Sequence, residues 1–291
     1  MKINEQSYAF ALLIFGQLGD SARISLQSIL RNSSSKICIG GDRAGLNWAI
    51  SQVPEVDKSR LCIHSIPRKY LQAFGLDGSE NYMYSNFGQE RFIKLTTFKW
   101  YLLHSVLTQH KQLDLVVFSD LDVIWLSPPT QKLGTCNIDN NLALIQDDTP
   151  QGAKYKHFCT GIMFWFNKVE SIQALAELYA QQFMQNNTGA LIPDEPTFNR
   201  WYESRNSINK ISVLPTESFV IGHKYFKFII SRNHTFQNLT AFHANYVIGE
   251  KAKYRRLRSF ELRCIGHKSW YILTLNEFAR RLFSPLISFM K

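Results

Sequence analysis

Two aspartates, one residue apart, close an apolar, β-branched run: Leu115-Val116-Val117-Phe118-Ser119-Asp120-Leu121-Asp122. Such a run reads as a buried strand. Charged side chains are seldom left at the end of one unless something compensates them. In open α/β sheets the carboxyl ends of the strands are where ligands bind. Two hard oxygen donors at that place suit Mg²⁺ or Mn²⁺, ions commonly held by one or two carboxylates plus substrate phosphates. The alternative is a pair of loop aspartates capping the turn into Ser127-Pro128-Pro129; it accounts for Asp122 but poorly for Asp120.

The elements around this pair follow an α/β pattern. Tyr8 to Phe15 reads as a first strand, followed by Gly16-Gln17-Leu18-Gly19-Asp20 and a helix near Ser21 to Leu30. A second strand, Lys36 to Ile39, ends in Gly40-Gly41-Asp42, and a third spans Arg60 to Ile66. Strand, loop and helix in alternation specify a parallel sheet with crossover helices. Gly16 permits close approach of the backbone to a nucleotide and is equally compatible with a plain βα turn. One helix is expected over Phe92 to Thr108, with Phe98, Leu102, Leu103 and Val106 on one face. A strand at Asn141 to Ile145 delivers Asp147 and Asp148. Gly161 to Phe166 is a further strand, followed by a helix carrying Ile172, Leu175, Ala176, Tyr179 and Phe183. Thr274-Leu275-Asn276-Glu277 fits a capping box opening a last helix.

At 291 residues and 45% apolar, the chain has enough substance for one sizeable core, and no linker or repeat divides it. The net charge of +10 favours anionic partners: nucleotides, nucleic acid or an acidic membrane surface. Five cysteines, at 38, 62, 136, 159 and 264, are odd in number and lack CxxC spacing, so neither a zinc site nor a disulfide framework is expected. The opening apolar run is too short for a signal peptide and nothing approaches a membrane span, so a cytoplasmic location is expected.

With the acidic strand and its Pro-Pro exit, the chain resembles the nucleotide-diphospho-sugar transferases of the GT-A fold, in particular glycosyltransferase family 77. Four blocks between about Phe92 and Lys253 carry the likeness, and the first 90 residues fit loosely. Phe118-Ser119-Asp120-Leu121-Asp122-Val123-Ile124-Trp125 resembles the family's metal motif. It implies Asp122 as a direct ligand, Asp120 on the ribose or the metal, and Leu121 beside the donor. Lys99 in Phe98-Lys99-Trp100 matches a helix lysine placed near sugar or diphosphate, and a surface lysine is the alternative. Cys159-Thr160-Gly161-Ile162-Met163 resembles the segment lining the donor sugar, which brings in Thr160 and Gly161. Asp194-Glu195-Pro196-Thr197-Phe198-Asn199 resembles a block usually written Asp-Gln-x-x-Phe-Asn, with Glu195 in place of Gln. Asp194 is then a catalytic candidate, or else a helix N-cap. In His243-Ala244-Asn245-Tyr246-Val247-Ile248-Gly249, followed by Lys251 and Lys253, the resemblance makes His243 the third metal ligand. Gly249 gives room for the backbone, and Lys253 (or Lys251) neutralises the diphosphate.

The resemblance implies a GT-A-type, Rossmann-like mixed sheet, mostly parallel and flanked by helices. The catalytic domain would occupy residues 1–250, with a nucleotide-binding half at about 1–130 and an acceptor half at about 131–250. Residues 251–291 would form a basic extension with an amphipathic helix. Gly16 and Asp42 are counted with the donor-binding residues. The expected partners are a UDP-sugar, hexose or pentose, and an acceptor glycan, lipid-linked sugar or protein; the metal is Mn²⁺ or Mg²⁺, and the product retains anomeric configuration. No nucleic acid is expected. Leu275, Phe278, Ala279, Leu282, Phe283 and Leu286 recur at helical spacing and would either touch an anionic membrane or, by preference, dock on the core. Two rivals stand beside this reading. One is an aspartate-dependent phosphohydrolase using Asp147 and Asp148. The other is a basic anion-binding module built on Lys251, Lys253, Arg255, Arg256, Arg258 and Arg263.

Overall fold

The computed structural model describes residues 3–76, 89–135, 139–205, 210–225, 229, 239–245 and 249–289. A seven-stranded sheet has the order β3-β2-β1-β4-β7-β6-β8. Its strands are β1 (Tyr8–Ile14), β2 (Lys36–Gly41), β3 (Leu61–Ser65), β4 (Leu115–Ser119), β6 (Ala143–Asp147), β7 (Phe158–Phe166) and β8 (Ile211–Val213). β1, β2, β3 and β4 run parallel, as do β6 and β8, and only β7 is reversed against its neighbours β4 and β6.

Alternation along β1 explains why the sheet reads as a continuous apolar run. Phe10 and Leu12 pack with Leu26 and Ile29 of helix α1 (Asp20–Asn32) on one face. Ala9 and Ala11 pack with Trp100, Leu102 and Val106 of α5 (Phe98–Gln109) on the other. The remaining helices of this layer system are α2 (Arg43–Gln52), α3 (Arg68–Ala73), α4 (Glu90–Thr96), α6 (Val169–Asn187) and α7 (Asp194–Ser204). The chain leaves β1 toward β2 and β3 on one side and returns through β4 on the other. The carboxyl ends of β1 and β4 therefore flank a topological switch point, the usual ligand crevice of such sheets.

A second, three-stranded sheet was not foreseen. β5 (Val123–Trp125) pairs antiparallel with β10 (Ala241–His243), which pairs parallel with β9 (Phe219–Ile221). Ile124, Val220 and Phe242 meet Leu257 and Phe260 of α8 (Glu250–Cys264), with the rings of Phe242 and Phe260 stacked at 4.0 Å. α8 packs on α1 as well, where Glu261 takes an ion pair from Arg31 at 2.5 Å.

Two local expectations are corrected. The helix expected over Phe92 to Thr108 is broken at Thr97 into α4 and α5. The side-chain amide of Asn186 donates to the Ile93 carbonyl at 3.4 Å and to the Thr97 hydroxyl at 2.9 Å, and Thr97 N turns to the Lys94 carbonyl at 3.3 Å. That diversion tightens the turn. The last helix, α9 (Trp270–Phe289), begins before the expected capping box. Thr274 and Glu277 lie inside it and are buried: Glu277 pairs with Arg256 of α8 at 3.3 Å, and Thr274 lies 3.4 Å from the Tyr225 hydroxyl. Leu275 and Phe278 point outward, 64% and 46% exposed, while the side chains of Leu282, Phe283 and Leu286 lie outside the described part.

Candidate active site

The acidic pair sits where β4 ends. Asp120 N donates to the Gly161 carbonyl at 2.8 Å, which extends the β4–β7 ladder by one step. The chain then turns into β5, whose Val123 pairs with His243 across the second sheet. Ala244 N closes that register on the Asp122 carbonyl at 2.8 Å. Strand pairing thus brings together residues 121 positions apart in the chain. His243 Nε2 lies 3.1 Å from Asp122 Oδ1 and 3.9 Å from Asp120 Oδ2. One ligand atom from each of the three residues falls within 4.8 Å of the others.

The imidazole is held in one orientation. Its Nδ1 lies 3.1 Å from Gln146 Oε1, an acceptor, which fixes the ring with Nε2 toward the aspartates. Gly161 makes room for the ring, because a Cβ there would fall 2.0 Å from His243 Cε1. Two carboxylates and an imidazole nitrogen on fixed backbone are a donor set that fits Mn²⁺ or Mg²⁺.

Two ammonium groups flank this set. Lys253 Nζ, from the first turns of α8, pairs with Asp122 Oδ2 at 2.7 Å. Burial alone would raise the Asp122 carboxyl, but Lys253 and then His243 outweigh it and hold the group well below the usual carboxylate range. Lys99, in the first turn of α5, is 3% exposed and pairs with Asp194 Oδ2 at 2.5 Å and with Asp120 Oδ1 at 3.3 Å. Burial would lower its ammonium, but Asp120 and Asp194 overcome that and hold it above its ordinary value. The Thr160 hydroxyl also donates to Asp194 Oδ2 at 2.5 Å.

Asp194 is the first residue of α7 and Pro193 is its N-cap, without a side-chain capping bond. The carboxylate is therefore turned to Lys99 and Thr160 rather than used as a cap, and the surface alternative for Lys99 falls away. Glu195 lies beyond, with its carboxyl pushed up to about 7 by burial, then by Asp194 and Asp148. Gly249 has φ 94°, a left-handed conformation that glycine accepts without strain, as it hands the chain into α8. Lys251 is exposed on that helix. Gly16, at φ 69°, donates its N–H to Asp42 Oδ1 at 2.9 Å, and the same oxygen caps α2 through Gly45 N at 2.7 Å. Asp42 thus braces the β1–α1 turn; it also borders a cleft of about 430 Å³ lined by Gly41, Arg43, Asn47, Ser65 and Arg68. Neither Gly16 nor Asp42 touches the acidic cluster.

Two residues of this architecture escaped the sequence reading. Gln146, which orients His243, was signalled only as a polar side chain directly after the apolar run Ala143 to Ile145. Glu250 has no sequence signal: it accepts from Ser21 N and the Ser21 hydroxyl, both at 2.6 Å, tying α8 to the start of α1. The basic cluster expected near the C-terminus is largely spent within the fold. Lys253 serves Asp122, Arg256 serves Glu277, Arg258 pairs with Glu261, and Arg263 lies 4.3 Å over the Trp270 ring. That removes the ground for a nucleic-acid-binding face.

A family model for nucleotide-diphospho-sugar transferases matches residues 61–257. The chain belongs to this family. The match contains all four motif blocks and the whole acidic cluster, while Gly16 and Asp42 precede it. UDP-D-xylose:L-fucose alpha-1,3-D-xylosyltransferase 3 of Arabidopsis thaliana is 27% identical over 194 residues, which are 60% of this chain and 49% of the relative. The chain thus spans about half the length of that curated relative. The fold is that of the GT-A glycosyltransferases. The galactosyltransferase LgtC, solved with donor and acceptor sugar analogues, superposes with a TM-score of 0.55 at 10% identity, covering 89% of this chain and 96% of LgtC. Mouse xyloside xylosyltransferase 1 gives a TM-score of 0.50 at 13% identity, over 82% of this chain and 98% of its own.

Proposed function

We propose that this nucleotide-diphospho-sugar transferase is a metal-dependent glycosyltransferase. It would move a hexose or pentose from a UDP-sugar to an acceptor hydroxyl with retention of configuration. The convergence of Asp120, Asp122 and His243 at the switch point of the sheet, between two lysines, carries this reading. The Arabidopsis relative is named for UDP-D-xylose and LgtC for galactosyl transfer, which supports a UDP-linked donor.

Breaking a sugar–diphosphate bond builds negative charge on the departing phosphate oxygen. Asp122, His243 and Asp120 would hold a divalent ion that would supply Lewis-acid stabilisation of that charge. Lys253, beside Asp122, would add positive charge at the same place. Gly16, Asp42 and Leu121 belong to the nucleoside side of the donor. Thr160, Gly161, Gly249 and Lys251 belong to the sugar and diphosphate side. Asp194 Oδ2 is already engaged by Lys99 and Thr160, which favours a positioning role on donor or acceptor hydroxyls over a free nucleophile. Retention then proceeds by attack of the acceptor on the face the leaving group vacates. The outward Leu275 and Phe278 support peripheral contact with an anionic membrane. Among the described residues no helix is long and apolar enough to cross one.

Thermal denaturation with UDP tests the metal reading. UDP should raise Tm markedly more with Mn²⁺ than with a chelator, because a ligand bound by the native state alone stabilises it. Asp122→Asn should abolish the metal-dependent increment and leave the unliganded protein folded. An increment unchanged in that variant refutes the assignment.

A further inference from the structure

The tertiary fold assembles a thiol and two imidazoles that the spacing of the cysteines did not suggest. Cys38 in β2 and Cys62 in β3 are register partners on adjacent parallel strands. Because side chains alternate along a strand, His64 shares a face with Cys62. α5 covers that face and ends at His110, its C-cap residue. His64 Nε2 and His110 Nε2 stand 3.2 Å apart, and one ligand atom each from Cys38, His64 and His110 lies within 4.8 Å of the others. Two nitrogens at about 2.0 Å from one tetrahedral ion are themselves about 3.3 Å apart, so the imidazole pair already has the spacing of a shared metal.

We propose that Cys38, His64 and His110 form a second metal site, for Zn²⁺, at the junction of β2, β3 and α5. The donor set is one sulfur and two imidazole nitrogens, the soft-to-borderline combination that zinc prefers over Mg²⁺ or Mn²⁺. The oxygen-rich acidic cluster has the opposite preference. His64 Nδ1 lies 3.2 Å from the Ser105 hydroxyl, which also accepts from Gln109 Nε2 at 2.9 Å. A ring whose Nδ1–H is taken by such a partner presents a bare Nε2, the tautomer a metal requires. Binding costs one proton from the Cys38 thiol, delivered to solvent as the sulfur–zinc bond forms. Cys62 is in thiol contact with Cys38, so a further sulfur is at hand. His110 is only half-buried, which opens a route for the ion.

The competing occupant is a proton shared between the two rings, and cobalt distinguishes them. Co²⁺ titrated into the chelator-treated full chain should give tetrahedral visible bands and a thiolate charge-transfer band that saturate at one equivalent and that Zn²⁺ erases. The same bands should persist in Asp122→Asn, which separates this site from the acidic cluster. Ser105→Ala should weaken the affinity about 10-fold or more. His110→Ala, at the half-buried end of α5, should remove the bands while the metal-free Tm stays close to that of the parent. Absence of the thiolate band in the parent chain overturns the proposal, as does a band that survives His110→Ala or disappears with Asp122→Asn.

Discussion

The ring of His243 rests directly on Gly161, and a methyl group added to Gly161 would have to stand 2.0 Å from Cε1 of the imidazole. The glycine in the Cys-Thr-Gly block is therefore a space requirement of the histidine, imposed from the neighbouring sheet. Gly161→Ala should fold, since it lies at an ordinary strand position, but it must push the ring off its line to Asp122. A metal-dependent UDP affinity lower by about 100-fold, read by calorimetry with Mn²⁺, is the expected result. Parent-like affinity would show that His243 does not act on the metal.

Lys253 and Arg258 lie on the same helix but differ in what they touch. Lys253 reaches Asp122, whereas Arg258 pairs with Glu261 of its own helix. Lys253→Ala should weaken UDP binding by about 10- to 100-fold, the usual worth of a hydrogen bond to a charged group. Arg258→Ala should change it by about 2-fold at most, as exposed ion pairs contribute little. Equal losses that salt erases would instead signal a diffuse surface field.

Glu195 gives the site a pH signature. Its carboxyl titrates at about 7 in the fold against an ordinary 4.5. Between those values the folded state binds more protons than the unfolded one, so Glu195 lowers stability as pH rises through that window. Glu195→Gln removes the titration. Its stability relative to the parent should be higher at pH 8 than at pH 5 by on the order of 1 kcal/mol, discounted because the side chain is 31% exposed. Denaturant melts at the two pH values decide it, and a difference independent of pH would refute the shift.

The outward pair on α9 can be tested without cutting the chain. Removing residues from 274 onward would also delete Glu277 and strand Arg256 in the interior, since the two are buried against one another. The double change Leu275→Asp with Phe278→Asp leaves that pair alone. The parent should sediment with anionic vesicles and stay in solution with zwitterionic ones, and the double variant should stay in solution with both. A parent indifferent to anionic vesicles refutes the membrane contact.

Much of the catalytic half was legible because its signals are local. Leu115 to Ser119 announced a buried strand and Asp120 with Asp122 its reactive end, from residue types alone. His243 and Lys253 became candidates only by family likeness, since nothing near them in the chain marks a ligand. The second sheet was missed because its strands are three residues long, too short for alternation to register. Thr274 and Glu277 have the types and spacing of a capping box, and the same two types also suit inward contacts, here with Tyr225 and with Arg256 of α8. Local pattern cannot separate those uses, whereas burial does. Cys38, Cys62 and His64 likewise acquire meaning only when β2 and β3 are set side by side.

The clasp between α8 and the start of α1 bears on how the protein matures during synthesis. Glu250 grips Ser21 from 229 positions away, and Lys253 and His243 reach Asp122 across more than a hundred. A nascent chain emerging from the ribosome exposes Asp122 long before its cationic partners exist, although Lys99, the partner of Asp120, precedes both aspartates. Until then Asp122 lacks its own ion pairs, and the helix start at Ser21 lacks its carboxylate. Competence to bind a donor is thus acquired late and all at once, so a growing polypeptide is not a working transferase before its last basic helix has folded back over the first.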